Sequence, residues 1–358
     1  MRLLKWIGTA LLFFVVALCL TPTLIPPFLD RIYYEGPRSD HFDGERFFNP
    51  GFPAYQGGRP TGFINRVLGG GRAEWPERVA VTQTVPPPRV NGREMRVTWI
   101  GHATVLIQTQ GLNILTDPIW SERASPFSFA GPKRVRAPGV AFERLPKIDL
   151  VLISHNHYDH MDLPTLQRLW ERDRPAIVTS LGNDTILRGR GIEAAALDWG
   201  GRKRIAPGVE VIVERNHHWG SRWGTDRNRA LWSAFTVKLP DGNIFYAGDT
   251  GWGDGGWVAE AARSGPFRLA IIPIGAYEPR DFMKTNHINP EEAVRIFEAL
   301  KPARALGVHW GTFQLTFEPI GDPPKRLSAL KRARSIASER FVATEVGESF
   351  SVPPVGTP

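Results

Sequence analysis

One nine-residue run, Ser154 to Asp162 (SHNHYDHMD), constrains this chain more than any other feature, because it places three histidines and an aspartate in the six positions 155–160. Imidazole nitrogens and carboxylate oxygens are the usual ligands of zinc and related divalent ions. His155, His157, Asp159 and His160 can offer four of them from a single turn. The flanks indicate what holds that turn. Lys147 to Ile153 (KIDLVLI) is short, apolar and rich in branched residues, the pattern of a buried strand. Leu163 to Arg172 (LPTLQRLWER) has the apolar spacing of a helix, with Asp162 placed as its N-cap and Pro164 in its first turn. The spacing therefore predicts a metal-type cluster on a strand-to-helix loop, against the plainer alternative of a polar loop.

Three more apolar runs end in a metal-type side chain. Asn243 to Ala247 (NIFYA) leads into Asp249, Ala303 to Val308 (ARALGV) into His309, and Val209 to Glu214 (VEVIVE) into His217 and His218. Singly, each could be a carboxylate closing a turn or a histidine bonded at a strand end.

Together with the first cluster, these residues resemble the metallo-β-lactamase superfamily, in which the motif HxHxDH, a later His, a later Asp and a last His at strand ends build a two-metal site. The resemblance implies an α/β fold, the αββα sandwich. It implies one ion on His155, His157 and His218, a second on Asp159, His160 and His309, and Asp249 bridging them. His217 is the alternative to His218. The closer resemblance is to the N-acylphosphatidylethanolamine-hydrolysing phospholipase D group and its bacterial relatives, where the histidine is directly followed by Trp, as His218 is by Trp219. It rests on HFDGERFFNP (His41 to Pro50), WIGHATVLI (Trp99 to Ile107), LTDPIWSERASPF (Leu115 to Phe127), AGDTGW (Ala247 to Trp252), IPIGAYEPR (Ile272 to Arg280), HINPEEAVRI (His287 to Ile296) and HWGTF (His309 to Phe313). In the same light Asp117 is expected beside the ligands without holding metal, and His287 near the substrate phosphate; His102, after Gly101 in a strand pattern, reads as a structural histidine, with a place beside the ligands as the alternative. Asn289 as N-cap and Pro290 at the first helical position mark a helix start just after His287.

The chemistry follows from the ligands. Two divalent ions about 3.5–4 Å apart can lower the pKa of a shared water and stabilise charge growing on an attacked phosphate. Asp159 and Asp249 are the carboxylates expected at that centre, with Asp249 orienting the attacking hydroxide. The lone cysteine, Cys19, lies far from every motif and excludes disulfides within the chain. The resemblance thus implies a zinc enzyme, with iron or manganese as the alternative in one site. Its expected reaction is hydrolysis of N-acylphosphatidylethanolamine or a related phospholipid to phosphatidic acid and the head-group alcohol. The alternatives are a lactonase or a phosphodiesterase acting on a soluble substrate, then a nuclease, then a metal-binding membrane protein without turnover.

Organisation is read separately. Residues 1–25 hold an uncharged run from Trp6 to Ile25 behind Arg2 and Lys5, long enough to cross a hydrocarbon core of about 30 Å, so a membrane anchor is expected, with a cleaved signal peptide as the rival. Basic residues before the run place the catalytic domain on the non-cytoplasmic side, periplasmic in a bacterium, or exported if the segment is cleaved. Residues 26–93 are a Gly- and Pro-rich extension whose Phe42, Phe47, Phe48, Phe52 and Tyr55 are more than a solvated linker needs, so it is expected to pack on the domain. Residues 94–350 form the hydrolase domain, and 351–358 a loose tail. The net charge of +8 suits a phospholipid surface or a phosphate-bearing substrate. Short basic clusters at 134–136 and 202–204, without a stacking motif, give no expectation of nucleic acid. Trp219, Trp223, Trp232, Trp252 and Trp257 crowd two proposed ligands, and some of them are expected to form an apolar entrance for acyl chains. The pattern fixes no oligomeric state.

Overall fold

In the computed structural model, which describes residues 2–24, 31–52 and 70–356, the chain opens with the helix α1 (Arg2–Leu24). Tyr55 and the end of the apolar run at Ile25 lie outside the described residues. The side chains of 5–17 are described and exposed, and as helix they cover roughly 20 Å. Among the described residues no helix is long and apolar enough to cross a membrane, so the expected anchor finds no support in the fold.

Among the described residues fourteen strands follow, and they form two sheets. They are β1 (Met95–Gly101), β2 (Thr104–Thr109), β3 (Leu112–Thr116), β4 (Leu150–Ile153), β5 (Ala176–Ser180), β6 (Ala195–Leu197), β7 (Arg202–Ala206), β8 (Val209–Glu214), β9 (Ala234–Lys238), β10 (Asn243–Tyr246), β11 (Phe267–Pro273), β12 (Arg304–Val308), β13 (Phe341–Val342) and β14 (Ser349–Ser351). One sheet has the order β14-β1-β2-β3-β4-β5-β6, the other β13-β12-β11-β10-β9-β8-β7. Each is antiparallel on one side and parallel on the other: β3, β4, β5 and β6 run parallel in the first, β10, β11, β12 and β13 in the second.

Side-chain alternation assigns the faces. Val97, Trp99, Val105, Ile107, Leu150 and Leu152 point into the core between the sheets, where they join Val211, Val213, Phe235, Tyr246 and Leu306. Their neighbours Leu106, Val151 and Ile153 point outward and are covered by Leu166 and Leu169 of α2 (Leu163–Asp173) and Leu187 of α3 (Asn183–Arg188). A strand buried on both faces reads as a continuous apolar run, which is why KIDLVLI does. On the far side, α4 (Gly256–Ala262) and α6 (Pro290–Leu300) cover the second sheet, with the one-turn α5 (Arg280–Met283) before α6 and α7 (Asp322–Ala333) packed on it. Two mixed sheets face to face under outer helices are the expected metallo-β-lactamase sandwich. Its α6 starts on the expected cap: Asn289 Oδ1 accepts from Glu292 N at 3.0 Å, and Glu292 returns the bond to Asn289 N.

Two local expectations change. Asp162 occupies the N-cap position of α2 but makes no cap bond; its carboxylate instead accepts from Trp120 N, Ser121 N and Oγ, and Thr165 Oγ1, which ties the 119–121 loop to the metal-motif loop. The chain end is not loose as far as residue 355, since Arg268 Nε donates to Pro353 O at 3.0 Å and Val355 N to Asp241 O at 3.2 Å. Phe42 and Phe47 are buried with Leu231 and Trp232 in a satellite core.

Candidate metal centre

Every expected ligand leaves the end of a strand at the same edge of the sandwich. β4 runs into the 154–162 loop, β8 into 215–219, β10 into 247–251 and β12 into His309, while His102 occupies the β1–β2 turn. Because parallel and mixed strands end together there, side chains far apart in sequence converge. His155, His157 and His218 offer one ligand atom each, all within 4.8 Å of one another, and so do His102, Asp159, His160 and His309. Asp249 sits between them: its Oδ2 is 3.1 Å from His160 Nε2 and 3.0 Å from His309 Nε2, and it groups with His218 and His287 as well. His217 joins none of these groups; its ring lies edge-on to Phe52, and a Cβ on Gly253 would meet its Nδ1 at 2.6 Å.

Hydrogen bonds at the far ring atoms aim the near ones. His218 Nδ1 lies 2.9 Å from Asn286 O, an acceptor only, so Nδ1 carries the hydrogen and Nε2 keeps its lone pair. That Nε2 is buried without a partner, as are His157 Nε2 and Asp249 Oδ1. His160 Nδ1 lies 2.6 Å from Asp117 Oδ2, which leaves its Nε2 facing His309 Nε2 at 3.2 Å. Two imidazole nitrogens directed at each other, beside buried unpartnered acceptors, fit a cation held among them.

The electrostatics agree. Burial, with neighbouring imidazoles, holds His155 and His218 well below the usual histidine range and His157 at about 3, so these rings are neutral and able to ligate. His160 and His309 go the other way: burial opposes their charge, but the Asp249 and Asp159 carboxylates outweigh it and lift His309 to about 9. The pocket therefore favours positive charge at the point where the second group of ligand atoms converges.

Asp117 is where the sequence placed it, beside the cluster. Its Oδ1 accepts from Ser154 N at 2.7 Å, and its Oδ2 accepts from Ser154 Oγ, Tyr246 Oη and His160 Nδ1. His102 Nε2 lies 2.8 Å from Asp159 Oδ2 and braces that carboxylate, while His102 O accepts from His309 N. His287 is half-buried, desolvation holds its imidazole neutral at about 4, and its Nδ1 lies 3.9 Å from Asp249 Oδ2. Sequence reasoning missed Tyr246, Ser154, Asn216 and Asn286. Asn216 Nδ2 donates to Ala247 O and Asp249 O and so joins two ligand loops. The one available signal was a tyrosine in a buried apolar strand, since a buried phenol needs a partner.

Backbone strain collects at the same edge. His102, Asp117 and His309 have φ of 54°, 31° and 64°, a region that non-glycine residues rarely occupy and that persists where surrounding structure enforces it. Gly248, before Asp249, is at φ 60°, and a Cβ there would lie 2.8 Å from Ser154 Cβ and 2.9 Å from Ser233 O.

A cavity of about 300 Å³ opens onto the cluster, bounded by His157, Asp159, Asp249 and His287 on the polar side and by Trp219, Phe282, Met283 and Leu315 on the apolar side. A larger one of about 590 Å³ lies behind the metal-motif loop, with Tyr158 forming part of the wall of both. The expected tryptophans divide accordingly: Trp232 and Trp257 fill core, Trp252 lies under the Arg295 guanidinium, Trp219 stacks edge-on to His157, and Trp223 is exposed.

Comparison with known proteins gives the same picture. Residues 112–310 match the family described as the beta-lactamase superfamily domain. The chain is 35% identical over 329 residues, 86% of its length and 92% of the relative's, to N-acyl-phosphatidylethanolamine-hydrolyzing phospholipase D 1 of Caenorhabditis elegans. It is 26% identical over 244 residues, 67% of its length and 95% of the relative's, to a metal-dependent hydrolase of Pyrobaculum islandicum. Among solved structures, a possible metal-dependent hydrolase from Veillonella parvula superposes with a TM-score of 0.59 at 16% identity, covering 72% of this chain and 99% of that one, which is likeness of fold.

Proposed function

The chain belongs to the metallo-β-lactamase superfamily as a metal-dependent hydrolase close to the N-acylphosphatidylethanolamine-hydrolysing phospholipases D, and from that premise we propose that it cleaves the phosphodiester of N-acylphosphatidylethanolamine or a related phospholipid. The products are phosphatidic acid and the head-group alcohol. His155, His157 and His218 would hold one zinc ion and Asp159, His160 and His309 a second, with Asp249 available to them. Zinc bound there supplies Lewis acidity and activates water for attack on phosphorus.

The chain's own residues do the rest. Asp117 fixes the tautomer of His160, His102 braces Asp159, and Asn286 fixes the tautomer of His218. His287, neutral and facing Asp249 across the cavity, orients the phosphate by hydrogen bonding. The observation that carries the lipid reading is the apolar wall directly on the metal cluster: Trp219, Phe282, Met283 and Leu315 line the cavity that holds Asp159 and Asp249. The exposed Phe127, Phe129, Trp223 and Phe282 support it, since exposed aromatic rings suit a lipid interface. We place the protein at a membrane surface on the non-cytoplasmic side, and the exposed apolar side chains Trp6, Leu11, Leu12, Phe13 and Phe14 of α1 support contact with lipid.

The test is head-group release from N-acylphosphatidylethanolamine and phosphatidylcholine vesicles by zinc-loaded and metal-stripped protein, beside a soluble lactone and a bis-phosphodiester. Metal-dependent phospholipid cleavage is expected. Turnover of the soluble compounds alone would overturn the lipid assignment and favour a soluble-substrate hydrolase on the same centre.

A further inference from the structure

The 19 residues 215–233 between β8 and β9 carry no strand or helix, yet they contain His218. A ligand on such a segment has no sheet ladder to hold it, and metal affinity depends on how firmly each ligand is oriented. This segment is bonded to the metal-motif loop, where Arg222 Nη1 donates to Asn156 O and Met161 O, to the β5–α3 loop, where Leu231 N donates to Leu181 O, and from two further directions. The 247–251 loop supplies one set: Asn216 Nδ2 donates to Ala247 O and Asp249 O, and Gly251 N donates to His217 O at 2.6 Å. The N-terminal extension supplies the other. Tyr33 Oη donates to Asp226 Oδ2 at 2.9 Å, Phe47 N to Asn228 O at 2.8 Å, and Phe42 and Phe47 pack on Leu231 and Trp232. At the centre of that interface Asn49 Nδ2 donates to the carbonyl of His218 itself at 2.9 Å, while Asn49 Oδ1 accepts from Trp232 Nε1 at 3.2 Å.

We propose that Asn49 is a positioning residue of the metal centre, and that the extension over 31–52 is the clamp that holds His218 in place. The residue is gripped at both ends. Asn49 fixes its carbonyl, Asn286 O fixes its Nδ1, and Nε2 is left buried and unpartnered beside His155 and His157. The amide is suited to this place because the two sites it serves have opposite polarity. Its nitrogen meets a carbonyl and its oxygen meets an indole N–H, so one orientation satisfies both and no rotamer search is left to the His218 backbone. A carboxylate there would keep the bond from Trp232 but set an oxygen against the His218 carbonyl. The segment is an essential part of the centre although it lies over a hundred residues before the first ligand in sequence.

The proposal rests on His218 being a metal ligand, and the experiment separates the two. Full-length wild type, Asn49→Ala, Asn49→Asp, Trp232→Phe and His218→Ala are loaded with zinc, dialysed against a graded chelator and assayed for bound equivalents. The cobalt(II) forms are compared by visible absorption and the metal-free forms by thermal melting. His218→Ala is expected to retain one equivalent where wild type retains two. Asn49→Ala is expected to release that same equivalent at a chelator strength about 10- to 100-fold lower than wild type. Asn49→Asp should be worse, Trp232→Phe milder, and the cobalt spectrum should change in only one of the two sites. If the Asn49 and Trp232 variants hold both equivalents as wild type does, with an unchanged cobalt spectrum and only a lower melting point without metal, the clamp is structural and the proposal is wrong. If His218→Ala itself holds both, the ligand assignment fails and the proposal falls with it.

Discussion

Asp117 gives the sharpest test of how the centre is built, because four donors converge on one fully buried carboxylate: Ser154 N, Ser154 Oγ, Tyr246 Oη and His160 Nδ1. Replacing it with alanine leaves three buried donors without an acceptor, at roughly 1–3 kcal/mol each, because Ser154 Oγ keeps His155 Nδ1 at 2.9 Å. The total, about 3–9 kcal/mol, is comparable to the whole stability of a typical domain, so Asp117→Ala is expected not to accumulate as folded protein. Asp117→Asn is different. An amide can turn its oxygen to the position that takes three donors, which keeps Ser154 Oγ, Tyr246 and His160 bonded and sets its NH2 against Ser154 N. The opposite orientation sacrifices three bonds to keep one and is not adopted. Asparagine also tolerates the left-handed backbone at this position. The variant should therefore fold, about 1–3 kcal/mol less stable, with His160 in its native tautomer. It has nevertheless lost the charge behind that imidazole. Its affinity for metal is expected to fall about 10- to 100-fold, or about 1.4–2.8 kcal/mol. Competition with a chromophoric chelator measures the affinity and urea unfolding of the metal-free form measures the stability. Native metal affinity in Asp117→Asn, or a stably folded Asp117→Ala, would refute the reasoning.

Three further outcomes are expected. Gly248→Ala puts a Cβ 2.8 Å from Ser154 Cβ at a positive φ, so the β10 loop must shift; a lower melting point and weaker metal binding together are expected, and a wild-type value of both would show that the loop has slack. His41 is held between Asp40 at 2.6 Å and Asp198 at 2.8 Å, and although burial opposes its charge, those carboxylates raise its pKa above 6.5. A raised folded value means that its stabilisation is complete below pH 6.5 and disappears as pH rises through the folded value, so the urea midpoint of wild type should approach that of His41→Gln on the alkaline side. Among the exposed rings, Phe129 is 79% and Trp223 46% exposed, and burying either in lipid is worth up to about 1.5–3 kcal/mol; the double alanine variant should bind phospholipid vesicles at least about tenfold more weakly while turning over a soluble phosphodiester normally, and unchanged vesicle binding would rule these rings out as lipid contacts.

The parts of this molecule that were legible in its sequence are those that local chemistry decides. KIDLVLI became β4 because branched residues on both faces of a strand require cover on both sides, and the helix after it began at Leu163 as its spacing indicated. The ligand residues were legible because each follows a strand, and strands in a two-sheet fold deliver their ends to common edges. The identity of His218 over His217 was readable only through the neighbouring Trp219. In the structure it has a physical reason: the ring of His217 lies against Phe52 and Gly253 and joins none of the converging ligand groups. Asp162 shows the limit of local reasoning. Its place before α2 predicts a cap, but four donors from the 119–121 loop and Thr165 outcompete the helix N-terminus for its carboxylate.

What was hidden depends on contacts that no window of sequence contains. Tyr246 serves the centre across 129 residues, Asn49 across 169, and Asn286 acts through a carbonyl that any residue would supply. The left-handed backbones of His102, Asp117 and His309 are hidden for the same reason: nothing in a histidine predicts positive φ, and the conformation exists because the residues around it are already fixed. His309 N bonds to His102 O, His102 Nε2 to Asp159, and His102 N to Thr312 Oγ1, so the two strained histidines hold each other through the backbone as well as around the ligand cluster. That arrangement makes the β1–β2 turn part of the centre although its only ionisable residue is not among the expected ligands. Trp99, three residues before His102, and Trp310, directly after His309, are both buried and in ring contact beside them. Fold and site are therefore one construction: the inter-sheet core forces the strand ends into conformations they would not adopt alone, and those conformations aim the imidazoles.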